Sequence, residues 1–370
     1  MIETLFITTT RADYGILSNL IKIFHHNNEV FKILVSGTHL NEEYGLSLSE
    51  IKMDYSSYLL TVDILSGKVP LWDEIKNIYN EFPQILKELN PKKVIVLGDR
   101  YEIFHITSIC LFLNIPIVHF HGGELSEGAI DDILRHSITK MSNLHFVSSN
   151  VHKLRVMQLG EDENSVFNFG SMSVNNIVDN FSNSNLTLEE YYNRDKIIVI
   201  YHPTTKSDMY INIFELIMKI KKTSDKKVLV FTPNNDPGRD LIYSQINQLE
   251  DVTIIKNLNY SQYLNILSSA YCIVGNSSSG IIEAPALRVP TINIGERQKN
   301  RTQLRSIINC KNIDEIKDAL DIIGSSEFAN EIINMTIPLY VKDGNYKIYD
   351  TLKKFEFTLQ KKFWDMEIGK

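Results

Sequence analysis

At 370 residues the chain is long enough for two domains of ordinary size. Its 43% hydrophobic and 22% charged content fits a globular protein, and a net charge of −7 argues against a general nucleic-acid or anionic-membrane partner while leaving room for a local basic pocket. Three cysteines, Cys110, Cys272 and Cys310, lie far apart with no CxxC pair, which points to a reducing compartment and no metal cluster.

The first residues, Met1-Ile-Glu-Thr-Leu-Phe-Ile-Thr8, lack a basic region and a cleavage site, so no secretory signal is expected. No apolar run reaches the roughly 18 residues of a membrane span. A cytoplasmic location is expected. Leu5-Phe-Ile reads as a buried strand, followed by a polar loop over Thr8 to Gly15 and a helix from about Tyr14 to His26. The loop offers backbone N–H groups and Arg11 to an anion. It is no G-x-G-x-x-G turn, so a dinucleotide is not indicated. Phe31 to Gly37 is a second strand, ending in glycine. Between Thr38 and Gly67 the reading is mixed: loops at Tyr44-Gly45 and Ser66-Gly67, and a short strand over Leu60 to Val62. Trp72 to Leu89 has helical period, with a break or kink expected at Pro83.

Lys93-Val-Ile-Val-Leu97 is continuously apolar, as a central parallel strand buried on both faces would be. Helices near Tyr101 to Leu113, Asp131 to Met141 and Val151 to Leu159 alternate with strands Pro116 to His119 and Leu144 to Ser148. The Asn- and Ser-rich stretch 168–185 reads as a domain junction. The pattern then repeats. Strands are expected at Lys196 to Ile200, Lys227 to Phe231, Val252 to Ile255, Tyr271 to Val274 and Thr291 to Ile294. Helices are expected at Met209 to Lys222, at 240–249, at Tyr260 to Ser268, after Gly280 to about Leu287, and at Ile313 to Ile322. Thr232 to Gly238 reads as a loop. The tail from about Tyr346 to Trp364 reads as a long amphipathic helix. The expected architecture is α/β, with two doubly wound Rossmann-like domains over 1–172 and 173–349 facing across a cleft, and a C-terminal helix, 350–370, packing back onto the first. Without a dinucleotide fingerprint, such a pair suits a nucleotide sugar bound where the strand ends face each other.

Polar residues gather at those strand ends. Gly275-Asn276-Ser277-Ser278-Ser279-Gly280 follows a strand and opens a helix, where free N–H groups and the helix dipole favour phosphate. A plain serine N-cap is the blander account. Glu283, one turn on, could hold ribose hydroxyls or simply suit the helix dipole. Arg297 and Arg301 could clamp a diphosphate or lie in a solvated basic loop. His202, between a strand and Pro203, is balanced between ligand contact and structure. Asp99, after Leu97-Gly98, is either a catalytic carboxylate or a helix cap. His119 and His121 are two apart on an extended segment and so would share a face, with Gly122-Gly123 and Glu124 following. Their spacing matches no standard metal signature. Asp131 with Arg135, and Asp132 with His136, are helical i,i+4 pairs that a salt-bridged surface helix would explain, but their closeness to Asp99 and Glu124 favours an active-site role.

Several of these stretches resemble one family. They are Thr10 to Gly15, Leu97 to Phe104, His119 to Glu124, Arg135 to Ser142, Val156 to Gly160, Gly275 to Gly280 and Thr291 to Lys299. The family is that of the hydrolysing UDP-N-acetylglucosamine 2-epimerases of bacterial sialic acid and legionaminic acid synthesis. The resemblance runs from the N-terminus to about residue 301. It implies a fold of the glycosyltransferase-B type and conversion of UDP-N-acetylglucosamine and water to N-acetylmannosamine and UDP, with no cofactor and no metal. In the family, UDP leaves by anti elimination across carbons 1 and 2, and water adds to the resulting 2-acetamidoglucal. By motif, Asp99 and Asp131 match catalytic carboxylates, with His121, Glu124, Arg135 and His136 beside them. Arg11, His202, Asn276, Ser277, Ser278, Ser279, Gly280, Glu283 and Arg297 match nucleotide contacts. A homodimer or homotetramer is the family's habit.

The chain departs from the family in two places. Some members carry a catalytic glutamate where this chain has His121, which leaves that role open between His121 and Glu124. Gly170-Ser-Met-Ser173 replaces the family's usual Gly-Ala-Leu-Gly, which bears on the sugar. A nucleotide-linked 2,4-diacetamido-2,4,6-trideoxyglucose is therefore an alternative substrate. A glycosyltransferase of the same fold would not need the carboxylates from Asp99 to Asp131. A non-catalytic nucleotide-sugar binder would not need Asp99.

Overall fold

The structure is a computed structural model and describes residues 2–41, 48–125, 130–181, 186–203, 211–232, 239–255, 258, 260–298, 303–358 and 360–365. The chain divides into two units, Met1–Asn175 with Leu339–Lys370, and Asn176–Pro338. The second unit thus ends at Pro338, earlier than the 349 read from sequence.

In the first unit, strands β1 (Thr4–Thr8), β2 (Phe31–Val35), β3 (Leu59–Thr61), β4 (Val94–Leu97), β5 (Ile117–Phe120), β6 (Leu144–Val147) and β7 (Val166–Asn168) form one parallel sheet. Its order is β3-β2-β1-β4-β5-β6-β7. The period of two decides what each strand buries. Leu5, Ile7, Val94, Val96 and Ile117 pack with Ile78, Phe82 and Ile106 on one face. Phe6, Ile33, Ile95, Val118 and Phe120 pack with Leu17, Ile21 and Phe24 on the other. Helices cover both faces, so the strands need no polar side. Each fully buried leucine or isoleucine contributes roughly 1.5–3 kcal/mol.

In the second unit, β8 (Lys196–Ile200), β9 (Lys227–Phe231), β10 (Thr253–Ile255), β11 (Ala270–Gly275), β12 (Thr291–Ile294) and β13 (Ile307–Cys310) make a second parallel sheet. Its order is β10-β9-β8-β11-β12-β13. In both sheets the winding reverses once, between β1 and β4 and between β8 and β11. Ligands of open parallel sheets lie beyond the carboxyl ends at such reversals. Thr9 to Arg11 and Gly98-Asp99 stand at the first reversal, and His202 and Gly275 to Ser279 at the second.

Several expectations are corrected. The first helix begins at Arg11, not Tyr14. Thr10 caps it, and Asp13 completes a capping box by accepting from the Thr10 amide at 3.1 Å. The polar residues expected as a loop therefore open the helix. Helix Leu71–Leu89 runs unbroken through Pro83. Ile78, Phe82 and Leu86 are fully buried around the proline, and their packing outweighs its cost of about 3 kcal/mol. The Asn- and Ser-rich stretch begins at the end of β7 and holds helix Met172–Phe181, whose interior marks the unit boundary. Helices Leu48–Tyr55 and Ser326–Ile333 and strand β13 were not foreseen. Helix Ile313 to Ile322 starts instead as a 3-10 turn, Ile313–Glu315, before helix Ile316–Ile323. Tyr44-Gly45, Met209 and most of the Thr232 to Gly238 loop lie outside the described residues.

Among its described residues the tail is helical only over Gly344–Lys354. After it, Phe355 and Phe357 alternate with Glu356 and Thr358, a period of two that suits extended chain. The helix buries Ile348 and Leu352 in the first unit's core and sets Tyr349 edge-on to Phe24. Farther on, Lys361 Nζ donates to the Lys140 and Ser142 carbonyls at 2.7 and 2.6 Å and pairs with buried Glu161 at 2.5 Å. No helix among the described residues is long and apolar enough to cross a membrane.

Candidate active site

The first unit's cluster is assembled from two strand ends and one helix. β4 stops at Leu97, and Gly98 turns with φ +81° to deliver Asp99. The Gly98 carbonyl accepts from His119 Nε2 of β5 at 2.8 Å. His119 Nδ1, which accepts in a neutral ring, meets Thr139 Oγ1 at 3.2 Å, and the same hydroxyl lies 3.0 Å from the Arg135 carbonyl, with one hydrogen to give between the two. Arg135 Nη2, in turn, pairs with Asp99. Gly98, Asp99, His119, Arg135 and Thr139 thus tie β4, β5 and helix Ile130–Met141 together. Both His119 nitrogens are used in these contacts. The ring is fully buried, which pushes its pKa down to about 3 despite the Gly98 carbonyl. His119 is a structural, neutral histidine and not a ligand.

Asp131, in the first turn of the same helix, is exposed. Partial burial first, and the Asp99 charge second, raise its carboxyl above the usual range, against Arg135 and Arg100. A carboxylate held by a guanidinium therefore lies near a carboxyl biased toward its protonated form. That is how an active site divides base from acid. Asp132 Oδ2 lies 3.6 Å from His136 Nε2, beyond a good hydrogen bond.

His121 leaves the strand. Its φ of +65° turns it out of the extended path, so it does not share the environment of His119. Its Nδ1 pairs with Glu124 Oε1 at 3.2 Å. Ser148 Oγ donates to the same oxygen at 3.0 Å and meets His152 Nδ1 at 2.8 Å. Burial works against the Glu124 charge, but His121, Arg135 and His152 outweigh it and hold the carboxyl well below the usual range. Gly123 is required beside this group: its φ is +76°, and a Cβ would lie 2.4 Å from the His152 carbonyl oxygen.

Sequence reasoning missed Ser148 and His152, which lie beyond the glycine-rich turn and give no signal until β6 is paired with β5. It also passed over Arg100 and Glu102. Arg100 pairs with fully buried Glu102 through two bonds, at 3.1 and 2.7 Å, and the Tyr101 hydroxyl donates to Glu74.

Arg11 belongs to the first unit; the other expected nucleotide contacts belong to the second. There, buried Asn276 clamps the backbone of His202, accepting from its N–H at 2.7 Å and donating to its carbonyl at 2.8 Å. Arg297 Nη1 and Gln298 Nε2 donate to the Asn276 carbonyl at 3.1 and 2.9 Å. The strand ends after β8, β11 and β12 are thereby locked to one another. The serine turn is no long helix start. Ser278–Gly280 is a 3-10 turn, and Glu283–Ala286 is a single helical turn. Ser277 Oγ accepts from the Ser279 amide at 3.3 Å, and Ser279 Oγ bonds the Tyr263 hydroxyl. The helix-dipole reasoning therefore fails here, and hydroxyls, the His202 strand end and Arg297 make up what the turn offers an anion. Tyr260 and Tyr263 lie near Glu283; burial first and that carboxylate second push both phenols up. Arg301 lies outside the described residues.

The sequence pattern described as UDP-N-acetylglucosamine 2-epimerase matches residues 22–353. The GDP/UDP-N,N'-diacetylbacillosamine 2-epimerase (hydrolyzing) of Campylobacter jejuni is 35% identical, over 87% of this chain and 87% of its own. The UDP-N,N'-diacetylbacillosamine 2-epimerase (hydrolyzing) of Legionella pneumophila is 32% identical, over 89% of each. The crystal structure of UDP-GlcNAc 2-epimerase from Neisseria meningitidis bound to UDP-GlcNAc superposes with a TM-score of 0.76, covering 96% of this chain and 100% of that one at 17% identity, a likeness of fold. The match across nearly the whole length, on two parallel sheets with polar residues gathered at both winding reversals, shows that this chain belongs to the UDP-N-acetylglucosamine 2-epimerase family.

Proposed function

We propose that the protein is a hydrolysing 2-epimerase that converts UDP-N-acetylglucosamine and water to N-acetylmannosamine and UDP. The observation that carries this reading is the pairing of Asp99, held by Arg135, with Asp131, whose carboxyl is raised beside it. Asp99 takes the proton from carbon 2 as the bond from carbon 1 to the diphosphate oxygen breaks, leaving the 2-acetamidoglucal and UDP. Asp131 returns a proton to carbon 2 from the opposite face while water adds its hydroxyl at carbon 1. The carbon 2 proton is weakly acidic, so stabilising the departing diphosphate matters as much as the base. Arg11, His202, Ser277, Ser278, Ser279, Gly280, Glu283 and Arg297 are assigned to the nucleotide, with Asn276 holding His202.

In deuterated water the product is expected to be a manno-configured sugar with deuterium at carbon 2, seen by NMR, alongside free UDP. Retained protium there would rule out elimination. Asp99→Asn is expected to leave UDP affinity within a few-fold while turnover falls by about 10²–10⁴; wild-type turnover would remove Asp99 from the mechanism.

A second reading keeps the chemistry and changes the sugar to a UDP-linked 2,4-diacetamido-2,4,6-trideoxyhexose. The relatives at 35% and 32% identity, both named for N,N'-diacetylbacillosamine, favour it. A kcat/KM comparison of the two UDP-sugars decides between them.

A further inference from the structure

We propose that His121 is the catalytic base that takes a proton from the attacking water, and that Glu124 is the residue that positions it. This assignment rests on the epimerase reading. That reading moves three protons: one leaves carbon 2, one returns to it, and one leaves water as its oxygen bonds to carbon 1. Asp99 and Asp131 account for the first two, and the third needs a group of its own.

The geometry supplies one. Glu124 Oε1 faces His121 Nδ1 at 3.2 Å, and a carboxylate there can only accept, so Nδ1 carries the ring hydrogen. In the neutral ring, the form that can act as a base, Nε2 then carries the lone pair, and it has no hydrogen-bond partner among the described residues. A buried imidazole nitrogen without a partner is costly unless something binds to it. Glu124 is itself fixed by the Ser148 hydroxyl at 3.0 Å, and Ser148 by His152 Nδ1 at 2.8 Å. The left-handed backbone at His121 is a further constraint of the kind that persists at working sites. In the step, water gives its hydroxyl to carbon 1 and its proton to Nε2, Asp131 gives its proton to carbon 2, and the imidazolium so formed is stabilised by Glu124 until it loses the proton to solvent. The charged and titratable groups facing this dyad are Arg135, His119 and His152, with Arg155 beyond His152.

The test separates elimination from hydration. Asparagine tolerates a left-handed backbone, so His121→Asn is the variant of choice. It is expected to release UDP within about tenfold of the wild-type rate while hydration slows by about 10²-fold or more, so that the unsaturated 2-acetamidoglucal accumulates and is seen by NMR. Glu124→Gln is expected to give the same intermediate to a lesser degree, with KM within about threefold and with the Nδ1–H tautomer of His121 lost in ¹⁵N spectra. Circular dichroism and UDP binding check that both variants fold. Equal loss of UDP release and hydration, or a wild-type product ratio, would overturn the assignment alone. A wild-type chain that releases UDP from neither sugar would overturn the epimerase reading and the assignment with it.

Discussion

His119 holds the carbonyl that precedes Asp99, and it does so as a neutral ring. Burial drives its pKa down to about 3, and burial with the Arg100 charge drives that of His39 down to about 4. Both lie below the ordinary value of 6.5. On acidification the unfolded chain therefore takes up these protons first. The stability the two residues give is complete above about pH 6.5 and drains as the pH falls toward 4, at about 1.4 kcal/mol per pH unit for each group. Glu124 and Glu161, both lowered from 4.5, add a second loss only below that value. Urea unfolding at pH 7.5, 6.0 and 5.0 is expected to show the first loss, and His119→Gln is expected to flatten that slope by one group's share; an unchanged slope would refute the neutral-histidine account. Asp99, Glu124 and Asp131 were legible as a chemical cluster because they stand near strand ends in the sequence itself. The duty of His119 was not, since its partners Gly98 and Thr139 are brought to it only by sheet pairing.

At the scale of elements, the turn after β11 shows how closely the second sheet is built. Gly275 has φ +144°, and a Cβ there would lie 1.9 Å from the Ile200 carbonyl oxygen of the neighbouring strand. That oxygen also accepts from the Asn276 amide, so β8 cannot withdraw without loosening the clamp on His202. Gly275→Ala is expected to cost more than about 3 kcal/mol by chemical unfolding and to weaken UDP binding. A loss under 1 kcal/mol would show that the strand ends can part. Sequence revealed the glycine and the serines but not the short 3-10 turn that follows. Thr10 and Asp13 teach the same lesson from the other direction. Small polar residues after a strand suit both a loop and a helix cap, and only the reciprocal bonds between them place the helix start.

At the scale of the molecule, both parallel sheets were legible because continuous apolar strands separated by helical periods admit few other arrangements. The path of the tail was not. Tyr349 donates to Glu29 at 2.6 Å and Lys353 pairs with it at 2.7 Å, contacts that no local pattern announces. Removing residues 344–370 takes Ile348 and Leu352 out of the core. At about 2–5 kcal/mol for each large side chain lost, this consumes most of the roughly 5–15 kcal/mol that holds an ordinary domain folded. The truncated chain is expected to be insoluble on expression, and a soluble product with the wild-type Tm would contradict this. The same return of the chain sets an order of events during synthesis. The second unit is contiguous, so all of it has been translated before helix Gly344–Lys354 exists. The first unit, begun earlier, must wait on the ribosome for its missing helix with part of its apolar surface uncovered. The half made first is the half finished last, and Asp99, Arg135 and His121 lie in it.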